Sequence, residues 1–157
     1  MQAAALQDRQ QVQHFKVKRE SVQLGRACAE RYYGSRVRRA QVDKIVLIVS
    51  ELLTNVVRHT GLPETAFMTL ICHEPDDQGN ARFEVSDACD QLPVRRELDL
   101  AAVLEELTPE ALDNMSLQEL EVGGQGLRLF DGLCSHWESR RLPQGGKTVI
   151  CTVGRAE

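Results

Sequence analysis

Aromatic residues are scarce in this sequence: Phe, Trp and Tyr make up 4% of its 157 residues. Any core must therefore be filled mainly by aliphatic side chains. No apolar run approaches the ~20 residues needed to cross a bilayer as a helix, so no membrane partner is expected. Charge of one sign is also lacking. The formal net charge is −4 and the pI is near 5.6, which removes the electrostatic basis for general binding to nucleic acid or to anionic membranes. The N-terminal MQAAALQDRQQVQ has no signal-like apolar stretch. Residues 1–11 are expected to be a flexible polar arm, and a cytoplasmic location is expected for the chain.

Cysteines are few and scattered. Cys28, Cys72, Cys89, Cys134 and Cys151 are odd in number, and no pair has C-x-x-C spacing. That argues against a disulfide framework and against a structural zinc site. Cys72-His73 and Cys134-x-His136 each offer two metal ligands, but small buried thiols are common core residues.

What remains is ordinary for a globular protein: 42% hydrophobic and 27% charged residues. The length suits one domain, placed at residues 12–157. Residues 12–18 alternate loosely and predict a strand. Residues 20–33 predict a helix, with Leu24, Cys28 and Tyr32 at four-residue steps and Gly34 as its cap. Arginines 31, 36, 38 and 39 suit a solvated helix end better than a docking patch. Residues 41–60 give the clearest helix, with Ile45, Ile48, Val49, Leu52 and Val56 on one stripe and Gly61 and Pro63 as its stop. Residues 65–73 and 82–86 predict a hairpin, as do residues 136–141 and 147–153. Between them, residues 88–123 predict short helices, with Thr108-Pro109 and Ser116-x-x-Glu119 as start signals. Hairpin strands and one-sided helices imply an α/β (α+β) two-layer sandwich: a mainly antiparallel sheet with helices packed on one face.

The long helix carries an unusual polar column. Glu51, Asn55 and His59 recur every fourth residue, directly after the apolar run IVLIV. At about 100° per residue, Asn55 lies roughly 80° from the centre of the apolar stripe, at the rim of the buried face. His59 lies nearer the stripe and suits a packing role. A solvated flank would account for any one of these residues; Glu51 and Asn55 together favour a site. Downstream, Asp87 closes the strand RFEVS, where it can cap the next turn or accept from an exocyclic amine. Gly124 and Gly126 precede a helical pattern starting at Leu127, an arrangement that suits an anion at a helix N-terminus. The GGKTV of residues 145–149 is explained by a hairpin turn alone.

The order of these signals is E-x-x-x-N-x-x-x-H, a strand-end Asp, a variable segment, G-x-G-L, and G-K-T in the last strand. It resembles the GHKL ATP-binding superfamily, and within it the bacterial anti-sigma-factor serine/threonine kinases. VSELLTNVVRHT is similar to their N box, and the resemblance runs over residues 12–153. It implies ATP and Mg²⁺ as cofactors, with Asn55 holding the metal and Glu51 as the base. It also implies Asp87 at the adenine amine, Gly124, Gly126 and Leu127 at the phosphates, Thr148 near the adenine, and a lid at residues 88–123. A phosphate contact from Arg58 or His59 would lie on the same box. The implied partners are a sigma factor or similar regulator, an anti-sigma-factor antagonist protein and a second copy of the chain. The sequence departs from the family where Asp87-Ala88-Cys89-Asp90 replaces D-x-G and where Gln125 stands between the glycines. Those departures keep open a non-catalytic, protein-binding module with a regulatory or degenerate pocket. A leucine-rich segment at residues 97–122 either packs on its own domain or meets a partner.

Overall fold

A computed structural model describes residues 10–89 and 132–155, apart from the side chain of His59. Five strands form one sheet: β1 (Gln10–Lys16), β2 (Phe67–His73), β3 (Ala81–Asp87), β4 (His136–Arg141) and β5 (Lys147–Val153). Their order is β1-β2-β3-β5-β4, and every neighbouring pair is antiparallel. Two helices, α1 (Glu20–Tyr33) and α2 (Arg39–His59), pack together, and α2 lies against β3 and β5. The fold is the α+β sandwich that the sequence implies.

Strand alternation sorts the sheet into two faces. Met68, Leu70, Cys72, Ala81, Phe83 and Val85 point to the helices and are buried, as are Val149, Cys151 and Val153 of β5. The intervening residues of β2 and β3, such as Ile71, His73 and Glu84, lie on the other face and are half-buried. The α2 stripe behaves as its periodicity predicts: Ile45, Ile48, Val49, Leu52 and Val56 are all buried, each contributing roughly 1.5–3 kcal/mol.

The face of α1 differs from the expected one. Leu24 is 58% exposed, and the buried set is Ser21, Val22, Gly25, Ala29, Tyr32 and Tyr33. Small residues set this choice. A β-carbon on Gly25 would overlap the Leu53 side chain, so Gly25 marks a close approach of α1 to α2. At the end of α1, the Tyr33 hydroxyl lies 2.9 Å from the carbonyl oxygens of both His73 and Arg82. It bridges the mouth of the β2–β3 hairpin.

One side chain fixes how α2 lies on the sheet. Gln41, in the first turn, donates from Nε2 to the Gly79 carbonyl at 2.9 Å. The N-terminus of α2 therefore sits at the β2–β3 turn, and both α2 and β3 run away from it. Glu51 lies ~15 Å and Asn55 ~21 Å along the helix from that anchor. Asp87 lies ~20 Å along β3 from Ala81. The polar half of α2 and the carboxylate end of β3 therefore occupy the same end of the sandwich.

Candidate functional site

Glu51 is more deeply placed than the rim position expected from a helical wheel: it is 1% exposed. Four consecutive residues, Glu51 to Thr54, are all buried. Four residues sweep the whole circumference of a helix, so α2 is enclosed on every side at this level. Asn55, the next residue, is half-buried and keeps access to the site end. Thr54 is turned to its own helix, donating to the Ser50 carbonyl at 2.7 Å.

Asp87 lies at the end of β3 on the helix-facing side, with its side chain 2% exposed. Among the described residues, two groups bind it. The Cys89 amide donates to Oδ1 at 2.7 Å, forming the turn cap that a strand-end Asp can make. Lys147 Nζ lies 3.1 Å from both Oδ1 and Oδ2. The Lys147 side chain is 10% exposed, so this ion pair is nearly desolvated. A carboxylate offers about four lone-pair sites. Among the described residues both hydrogen bonds fall on Oδ1, so acceptor capacity remains for an incoming donor.

The turn before β5 delivers Lys147 to this place. Gly145 and Gly146 have φ of 98° and 87°, a region that side chains rarely adopt. The turn closes by Leu142 N–H donating to the Gly146 carbonyl at 2.9 Å and Gly145 N–H to the Leu142 carbonyl at 3.0 Å. Register then pairs Asp87 with Lys147 and Ser86 with Thr148. Successive strand residues alternate faces, so Thr148 stands on the opposite side of the sheet from Asp87. Its hydroxyl faces Glu84 Oε1 and the Val85 carbonyl, each at 3.5 Å. The resemblance implies Thr148 near the adenine; in the structure Lys147, its neighbour, stands on the Asp87 side of the sheet. The signal for Lys147 was the G-K-T triplet, but its face depends on a register that the sequence alone leaves undetermined.

Glu51, Asn55 and Asp87 thus gather at one end of the sandwich. Gly124, Gly126 and Leu127, with Gln125 and the segment at 97–122, lie outside the described residues, as do most of the expected lid and arm. Cys72 and His73 alternate faces, and His73 Nε2 lies 2.5 Å from Glu84 Oε2. Among the described residues, no three His, Cys, Asp or Glu side chains form a metal cluster. No helix among them is long and apolar enough to cross a membrane.

No curated protein matches the chain. Residues 15–153 match the family model of the histidine kinase-like ATPase domain, whose name implies ATP as the bound nucleotide. That match spans nearly the whole sandwich and both sides of the site, and the chain belongs to this GHKL-type family of ATPase domains.

Proposed function

We propose that the protein is an ATP- and Mg²⁺-dependent regulator of the anti-sigma type. In this role it is a serine/threonine kinase that phosphorylates an anti-sigma-factor antagonist and also holds a sigma factor or similar regulator. The supporting observation is that Glu51 and Asn55, one helical turn apart, share an end of the sandwich with Asp87.

The residues fit the nucleotide chemically. Asp87 retains an acceptor site for an exocyclic amine. The Asn55 side-chain oxygen is a hard ligand of the kind Mg²⁺ prefers. Bound ATP supplies the transferable phosphoryl group. Glu51 takes the proton of the attacking serine or threonine hydroxyl, and its burial excludes competing water. Gly124, Gly126 and Leu127 complete the phosphate side in this proposal, and a homodimer is part of it.

Two measurements test it. Titration with ATP and Mg²⁺ should show binding that Asn55→Ala weakens at least tenfold. Incubation with γ-labelled ATP and the cognate antagonist should label the antagonist, and Glu51→Gln should abolish labelling. Failure of transfer to a verified binding partner refutes the kinase role.

One observation favours a non-catalytic module instead: Asp87 is already bound by Lys147 and Cys89. Calorimetry that finds tight partner binding but no nucleotide binding would establish that alternative.

A further inference from the structure

We propose that Lys147 is a second base-reading group, donating to a ring nitrogen of a 6-aminopurine beside the amine that Asp87 accepts. The proposal rests on the nucleotide-site reading above. It concerns how the base is held.

Lys147 is set in place rather than left to swing. The Gly145–Gly146 turn and the β3–β5 register place it opposite Asp87 on the helix-facing side. Its ammonium lies 3.1 Å from each carboxylate oxygen. An ammonium carries three N–H donors. At most two serve Asp87, and among the described residues no other acceptor meets the ammonium, so one is available to a ligand. Asp87 and Lys147 therefore present one acceptor site beside one donor, both on side chains that are at most 10% exposed.

That pattern complements adenine. The 6-amino group donates, and a ring nitrogen on either side of it, N1 or N7, accepts. Thr148, the other polar residue at this level of β5, lies on the far face. Lys147 is thus a base-contacting residue in a carboxylate–ammonium pair.

The test is a calorimetric series with ATP, 1-deaza-ATP, 7-deaza-ATP and purine riboside triphosphate. The expected result for the wild type is that one deaza analogue binds roughly ten- to hundredfold more weakly than ATP, the loss of one charge-assisted hydrogen bond. Lys147→Met should bind ATP and that analogue alike, and Lys147→Gln, which keeps a donor, should restore part of the difference. If both deaza analogues match ATP in the wild type, or the loss persists in full in Lys147→Met, the role of Lys147 is refuted. The wild-type series applies even if a variant does not fold. Purine riboside triphosphate lacks the amine and tests Asp87 separately. If it binds as ATP does, the Asp87–amine contact is refuted and this inference with it; if no nucleotide binds, the nucleotide-site reading itself fails.

Discussion

The backbone of Gly146 lies so close to Asp87 that a β-carbon there would overlap the Asp87 carbonyl oxygen. Its φ of 87° adds a second constraint. Gly145 shares the second constraint only: its φ is 98°, and nothing lies within 4 Å of its would-be β-carbon. Alanine at the two positions should therefore separate strain from overlap. Gly145→Ala is expected to cost about 1–2 kcal/mol of stability, the penalty of the left-handed region. Gly146→Ala should cost roughly twice that, because backbone must move. Equal urea midpoints for the two variants would contradict the tight packing of this turn on the Asp87 strand.

The Asp87–Lys147 pair leads to a prediction about stability as well as binding. Removing one member leaves the other charged and nearly desolvated, which typically costs about 3–5 kcal/mol. Removing both charges avoids that cost. Asp87→Asn and Lys147→Met are each expected to lower the unfolding free energy substantially, and the double variant should recover much of the loss. Chemical denaturation of all four proteins gives the coupling energy directly. Additive losses would show that the ion pair adds nothing beyond the two side chains separately.

Local pattern accounts for much of the fold. Gly34 marks the end of α1, and the two glycines before Lys147 mark the start of β5, so both boundaries are readable from the sequence. β1 starts at Gln10, earlier than its side-chain alternation indicates, because pairing of Gln10 with His73 extends it. Backbone pairing leaves no mark on composition. The insertion of β5 between β3 and β4 is equally silent, since a hairpin can dock on a sheet by either strand. At the site, the spacing of Glu51 and Asn55 was readable as a column, but the burial of Glu51 was not. A helical wheel shows one stripe, whereas α2 is covered by α1 and the sheet together. That Lys147 rather than Thr148 shares the face of Asp87 has the same origin: face follows register, and register is a property of the assembled sheet.

On the other sheet face, Glu84 gives the acid response a definite sign. A hydrogen bond with His73 holds its carboxyl below the ordinary glutamate range, against the opposing effect of burial. A depressed folded value means that the unfolded chain binds the proton more readily. The stabilisation is complete above the ordinary glutamate value of about 4.3, and it is lost as pH falls through the lower folded value. Between pH 7 and 5 this group should contribute no slope. Below about pH 4.3 the wild type should lose stability more steeply than Glu84→Gln, measured by urea unfolding at several pH values. Parallel curves would exclude the His73–Glu84 contact as a source of acid sensitivity.

Burial makes the cysteines unequal probes of the fold. Cys72 is 1% exposed, and its thiol is pushed up to about 12, chiefly by burial. At pH 8 only roughly one molecule in ten thousand then carries the Cys72 thiolate, the form that reacts with alkylating agents. Cys151 is held up in the same direction by the neighbouring Cys134 thiol and by burial. Cys89 and Cys134 are half-buried and not sealed in the core. Short iodoacetamide treatment of the native protein at pH 8, followed by peptide mass analysis, should modify Cys89 and Cys134 well before Cys72 and Cys151. Denaturant should then expose the two core thiols together, because both lie on the helix-facing side of one sheet and become accessible only when that layer opens. Labelling of Cys72 in the native protein as fast as Cys89 would mean that β2 does not face α1 and α2 as described.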